Sequence, residues 1–269
     1  MKKLIALALV LVMAFAFGSC GKKQEANLVI LDESLAPEEY GIAFRSGDTD
    51  LCYAVEAALN ELKKDGTVAE ISEKWFGEDK TTFESDADIA NVDASILPNP
   101  FKLGLDDSFP PMGYRNDHDE IIGFDIDLAK AVCDYYDITL ECIPIDWDNK
   151  DIELQGGNID CIWNGLTITA ERLEAYAMSA PYLANRQVVV VADNSGIKDL
   201  KGLAGKKVAL QSGSSADEAL TANEEVNASI AERVELKENL SALMELKGGS
   251  VDAVIMDEVV ARYVISNEM

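Results

Sequence analysis

The stretch Asn158–Arg172, NIDCIWNGLTITAER, carries residue types able to receive a carboxylate. A short apolar strand over Ile159–Trp163 is expected to break at Asn164-Gly165. The hydroxyl-bearing run Thr167-Ile168-Thr169 follows, and Arg172 falls in the first turn of a helix. A glycine lets backbone N–H groups approach a ligand closely. A helix start supplies orphan donors and the positive end of a dipole. Arginine adds a permanently charged fork that matches a carboxylate. A plain strand-to-helix turn with a solvated arginine has the same local pattern, so the rest of the chain has to decide.

Three other groups stand at the ends of expected strands. Asp106 and Phe109 follow the strand Lys102–Leu105, with Met112 just beyond. They could aim a charge and a flat ring at one ligand, or be a capping acid and a core phenylalanine. Trp147 lies between Asp146 and Asp148, as a half-buried rim residue or as a lid. Gln211-Ser212-Gly213-Ser214-Ser215 follows the strand Lys207–Leu210 and opens a helix, so amides around Ser214 and Ser215 can form an anion nest. An ordinary capped helix would read the same way. Strand Val251–Met256 ends in Asp257, while Glu258 belongs to the following helix.

These positions are held by strands alternating with helices: Lys102–Leu105, helix Asp125–Tyr136, strand Thr139–Ile145, a helix near Asp151–Leu154, and Ile159–Trp163. Such alternation predicts an α/β fold with parallel sheets, in which ligands bind at the carboxyl ends of strands.

The 269 residues suffice for one large or two medium units, and the formal net charge is −26. That charge argues against a nucleic-acid partner, whose affinity rests on basic patches. The one histidine, His118, sits in a polar Asn-Asp-His-Asp-Glu run and is a poor candidate for a catalytic base or zinc ligand. No cofactor or metal is expected. Cys52, Cys133, Cys142 and Cys161 show no metal-binding spacing and read as buried thiols, although an exported chain could pair them.

Residues 1–19 combine Lys2 and Lys3, an apolar run Leu4–Phe17, and Gly18-Ser19 before Cys20, the pattern of a secretory signal. The apolar run is short for a membrane span. The cysteine after the cleavage site resembles the lipobox of bacterial lipoproteins, apart from Phe17 where an aliphatic residue is usual. It implies lipidation of Cys20 and a folded part anchored outside the cytoplasmic membrane.

After a short strand Leu28–Asp32 and a turn at Pro37 comes strand Tyr40–Arg45. Helix Leu51–Lys64 follows, with Leu51, Val55, Ala58, Leu59 and Leu62 on one face, then a second helix Val68–Trp75. The block YGIAFRSGDTDLCYAVEAALNELKKDGTVAEISEKWFG resembles the C-terminal end of extracellular solute-binding proteins of polar amino-acid ABC transporters. Acidic residues 78–100 read as a linker closed by Pro98-Asn99-Pro100. FKLGLDDSFPPMGY, from Phe101, then resembles the start of the same family, and the chain continues to VDAVIMDEVVARYVISNEM.

The resemblance implies a type II periplasmic-binding fold, two doubly wound lobes joined by a two-strand hinge, in circularly permuted order. Expected divisions are a signal peptide over 1–19, a tether over 20–27, a large lobe over 39–185 that includes the acidic linker, and a small lobe from 28–38 plus 186–269. The hinge would lie near Tyr40–Phe44 and Leu183–Val189. By the same resemblance Arg172 and amides of both lobes hold a ligand carboxylate. Asp257, the Thr167 hydroxyl and the Asn164 or Gly165 carbonyl hold its ammonium. Asp106, Phe109, Trp147 and Gln211 surround its side chain. Family members often carry a smaller residue where this chain has Asn164. The implied function is capture of a free polar or cationic L-amino acid by a monomer that delivers it to an ABC permease. Asp106 beside two aromatics favours a cationic side chain. The rivals are a ligand-sensing receptor and a dehydratase-type enzyme on the same fold.

Overall fold

The structure, a computed structural model, describes residues 26–267. The expected signal segment and Cys20 lie outside the described residues. In chain order the elements are β1 (Leu28–Arg45), α1 (Thr49–Lys64), α2 (Thr67–Phe76), β2 (Phe101–Leu105), β3 (Ser108–Phe109), β4 (Gly113–Arg115), β5 (Ile121–Ile122) and α3 (Phe124–Tyr135). Then come β6 (Leu140–Pro144), α4 (Lys150–Gln155), β7 (Cys161–Thr167), α5 (Ala170–Ala175), β8 (Tyr176–Met178) and β9 (Leu183–Ala192). The last are β10 (Lys207–Gln211), α6 (Ser215–Ala222), α7 (Glu224–Ser229), β11 (Glu232–Leu236), α8 (Asn239–Gly248), β12 (Ala253–Asp257) and α9 (Glu258–Ser266).

The main sheet runs β11-β10-β12-β9-β1-β7-β2-β6. Parallel ladders lie at both ends: β10 with β11 and β12, and β2 with β6 and β7. Between them β1 and β9 run antiparallel from Tyr40↔Leu183 to Leu28↔Ala192 and join the two halves. The alternation along β9 assigns its two faces to different cores. Val188 and Val190 enter the main cluster with Tyr40, Leu103 and Trp163, whereas Val189 and Val191 pack with Leu31, Leu210 and Ile255. Helices cover both faces, as apolar strands buried on two sides require.

Two expected breaks are absent. Leu28–Arg45 is one strand rather than two strands around a turn at Pro37. Pro37 pairs with Arg186 of β9, and pairing of β1 with β7 begins only at Tyr40. The proline therefore sits where β1 has a strand on one side only, where a missing N–H is tolerated. Irregularities between Ile30 and Ala36 absorb the local mismatch. Likewise β7 does not stop at Asn164-Gly165. Its pairing with β1 jumps from Gly41↔Leu166 to Ala43↔Ile162, so Trp163–Gly165 bulge opposite Ile42. Gly165, at φ +58°, supplies the left-handed conformation this requires.

The acidic segment 78–100 is a fitted strap rather than a loose linker. Phe83 and Ala87 are buried, while Glu84, Asp86 and Asp88 between and beside them are more exposed. Thr81 bridges to Leu183, and Thr82 N donates to Tyr182 O at 2.9 Å. On α1, Asn60 Nδ2 donates to Ser85 O (2.9 Å) and Ala87 O (2.7 Å), and Lys63 Nζ donates to Phe83 O. Asn60→Ala removes the donor to two strap carbonyls. It is expected to lower the unfolding free energy by about 1–3 kcal/mol in a urea titration.

Candidate functional site

The eleven residues expected to meet a ligand line one narrow cleft between the two halves of the sheet, with free space of only about 10 Å³. Asp106 and Phe109 come from the end of β2 and from β3. Trp147 lies on a 3-10 turn after β6, and Asn164, Gly165 and Thr167 on β7. Arg172 projects from α5, whose N-cap Thr169 accepts from Arg172 N at 3.2 Å. Across the cleft stand Gln211 at the end of β10, Ser214 and Ser215 at the start of α6, and Asp257 at the end of β12. Carboxyl ends of parallel strands thus converge from both halves. Phe109 lies under the glycine of the bulge: a Cβ on Gly165 would come within 2.9 Å of its ring.

The halves touch through polar contacts across the cavity. Gln211 Nε2 donates to Asp106 Oδ2 at 2.7 Å, and Thr167 Oγ1 donates to Ser215 Oγ at 3.0 Å. Lys150 Nζ reaches Gly213 O at 3.1 Å, and Lys237 pairs with Asp146 at 2.7 Å. Three residues expected to meet a ligand are already engaged within the protein. Arg172 is not a free fork: Nη1 donates to Thr167 O (2.8 Å) and Nη2 meets Glu218 Oε1 of α6 (3.2 Å). Asp106 is engaged with neutral donors, Ser108 N and Oγ on one oxygen and Gln211 on the other. The cation over the Trp147 ring is the protein's own Lys150, 5.3 Å from the centroid. The spacing of single residues carries no sign of such long-range partners.

Burial raises the Asp106 carboxyl above its usual range, opposed by its bonds from Ser108 and Gln211. It lowers the Lys150 ammonium, and the Arg172 charge lowers it further. Asn164 ties the two strand ends together: its Oδ1 accepts from Asp106 N at 3.0 Å. Its buried Nδ2 has no partner and lies 2.7 Å from where a Cβ on Gly113 would stand, so a side chain there would displace it. Gln211 is held rigidly, donating also to Lys237 O (2.8 Å) and accepting from Asn239 Nδ2 (2.9 Å).

Sequence reasoning misses several supporting residues. Tyr40 donates its hydroxyl to Asp257 Oδ1 at 2.6 Å, and Asn185 Nδ2 donates to the same oxygen at 2.8 Å. Gln187 Nε2 donates to Ser215 Oγ at 3.1 Å. Asp125, at the start of α3, accepts from Gly165 N (2.7 Å) and Tyr182 OH (3.0 Å) beneath the bulge. A polar Asn-Arg-Gln run ahead of four valines is the one available signal for Asn185 and Gln187. His118 is exposed and does not line the cavity. Cys52, Cys133 and Cys161 are buried, Cys142 is partly so, and all four are free. Among the described residues no group of His, Cys, Asp and Glu is arranged to hold a metal ion.

The family model of the bacterial extracellular solute-binding proteins, family 3, matches residues 11–78 and 101–246. The chain belongs to that family. Among solved structures, a substrate-binding protein of an ABC uptake transporter from Streptococcus pneumoniae with bound histidine is 39% identical. That match has a TM-score of 0.63 and covers 65% of this chain and 72% of the other. An ancestral arginine-binding protein bound to arginine is 36% identical, with a TM-score of 0.59 over 64% and 76% of the two chains. The arginine-binding extracellular protein ArtP of Bacillus subtilis (strain 168) is 30% identical over 168 residues, 62% of this chain and 64% of ArtP. The match thus spans less than two thirds of that relative. The family and these neighbours are binding proteins, and those whose location is named are extracellular. No helix among the described residues is long and apolar enough to cross a membrane.

Proposed function

We propose that this family member captures a polar or cationic L-amino acid between its two halves and delivers it to an ABC importer. One observation carries the reading. A narrow cleft lined by buried residues sets Arg172 and the start of α6 at Ser214-Ser215 against the buried Asp257, with contributions from both halves. A zwitterion bound there stabilises the closed arrangement, because its two charges are satisfied only when the halves meet. In this reading the ligand carboxylate takes over the arm of Arg172 now held by Glu218 and the amides at Ser214 and Ser215. Asp257, with Thr167 and the β7 bulge, receives the ammonium. The side chain lies among Asp106, Phe109, Trp147 and Gln211. Relatives bearing histidine or arginine support a polar or cationic ligand.

The reading extends to the chain's organisation. A lipid on Cys20 anchors it to the outer face of the cytoplasmic membrane, and it works as a monomer. The large lobe is 39–185, and the small lobe is 186–269 completed by 28–38 through β1. The order is circularly permuted. In support, the family model matches in two blocks separated by the strap, while single matches to relatives reach only about two thirds of this chain.

The test is a calorimetric titration of the purified folded part with each of the standard amino acids and cystine. One of them is expected to bind 1:1 and to stabilise the protein, by about 2.7 kcal/mol at a hundredfold excess over Kd. Absence of heat and of any melting shift across the panel would sink the reading.

A further inference from the structure

We infer that Glu38 is a second carboxylate of the ammonium-receiving end, and that with Asp257 it holds a proton which the ligand's ammonium replaces. The inference deepens the proposed amino-acid binding and rests on it.

Glu38 lies on β1 opposite Asn185 of β9. One side-chain amide joins the two acids: Asn185 Nδ2 donates to Glu38 Oε2 at 2.9 Å and to Asp257 Oδ1 at 2.8 Å. Gln187 Nε2 also donates to Glu38 Oε2, at 3.1 Å, and links it to Ser215. The acids therefore share neutral donors within the strands that join the halves, beside a cavity that Asp257 lines.

The charged and titratable groups around them do not neutralise the pair. On β1 Glu39 is exposed, and Tyr40 is a neutral donor to Asp257. Arg186 of β9 is held bidentately by Glu258 at the start of α9, and Arg262 of α9 is bonded to the same Glu258. Arg172 of α5 lowers the Asp257 carboxyl by its charge, but its arms go to Thr167 O and to Glu218 of α6.

Glu38 is half-buried and Asp257 buried, and neither has a cation of its own, so the two cannot both ionise cheaply. Burial, and then the Asp257 charge, push Glu38 up to about 7, while burial also raises Asp257. The cluster is also one donor short: Gln187 Oε1 is buried with no partner. A carboxyl proton or an ammonium hydrogen would supply it.

The test uses L-arginine and L-glutamine, neither of which titrates between pH 5.5 and 8, in calorimetric titrations run in buffers of low and high ionisation enthalpy. Binding is expected to release up to one proton near pH 6 and almost none at pH 8. Affinity is expected to fall by up to about tenfold per pH unit below pH 6. Glu38→Gln is expected to bind more weakly than the wild type at pH 8, release no proton and show a flat pH profile, and Glu38→Asp should restore part of the slope. Melting temperature against pH without any amino acid is a second readout. The wild type should lose more stability than Glu38→Gln as pH rises from about 4.5 to 7, because the folded state holds the proton longer. Binding without proton release, or equal melting profiles for wild type and Glu38→Gln, would overturn the inference. If neither amino acid binds, the ammonium exchange is overturned along with those ligands, and the melting profiles still decide whether the pair holds a proton.

Discussion

Arg172→Ala is expected to weaken amino-acid binding by about 2–5 kcal/mol, some thirtyfold to several thousandfold in Kd. The side chain is buried, and its guanidinium is aimed by Nη1 bonding to Thr167 O at 2.8 Å. That bond can persist when ligand arrives, since the carbonyl lies on the same half of the protein. The arm that meets Glu218 at 3.2 Å is the exchangeable one, because Glu218 belongs to α6 on the other half and its side chain is 46% exposed. A ligand carboxylate arriving there trades one anion for another, and the displaced Glu218 can turn to water. Alanine would leave the carboxylate with amides alone in a desolvated cleft. Arg172→Lys should recover only part of the loss, since an ammonium cannot serve Thr167 O and a carboxylate with one rigid fork. Titration calorimetry on both variants, with melting curves to show that they fold, checks this. An unchanged Kd in Arg172→Ala would place the carboxylate elsewhere.

Much of the cavity lining is legible in the sequence because residues such as Asp106, Gln211 and Asp257 stand at or just beyond strand ends, which short-range signals mark. Gly165 is legible for another reason, as a glycine that marks an irregularity, here a bulge inside β7 rather than its end. The partners of those residues are not legible. Asp106 and Gln211 lie 105 residues apart and bond to each other, so each loses freedom that local sequence suggests it has. Glu38, Asn185 and Gln187 meet because of the register between β1 and β9, which the irregularities near Ser34 set. No periodicity in either segment fixes that register. Pro37 misleads for a related reason: a proline signals a turn unless the strand carrying it is unpaired on one side. The acidic strap looks like a linker because its charges dominate its composition, while two apolar residues, Phe83 and Ala87, fix its path.

Asp125 makes the stability of the fold depend strongly on pH. It is fully buried beneath the bulge, and burial pushes its carboxyl from 3.8 up to about 7, against the bonds it accepts from Gly165 N and Tyr182 OH. In the unfolded chain the group loses its proton near pH 4, whereas in the folded protein it keeps the proton to about 7. The folded state therefore binds more protons in this window, and stability falls as pH rises through it. The full loss, roughly 4 kcal/mol, is present above pH 7. Glu38 adds to the loss with the same sign. Exposed acids such as Asp65 and Asp93, held low by bonds from Thr67 and Ser95, act below pH 4 with the opposite sign. Urea unfolding between pH 4.5 and 8 should show the decline, and Asp125→Asn should flatten it while keeping an oxygen for Gly165 N–H. Asp125→Ala removes that acceptor too. It should free the bulge that places Gly165 and Thr167 and so weaken ligand binding, which Asp125→Asn should largely preserve. If Asp125→Asn weakened binding as much as Asp125→Ala, the charge rather than the hydrogen bond would hold the bulge in place. A pH profile unchanged in Asp125→Asn would mean that the carboxyl ionises in the folded core.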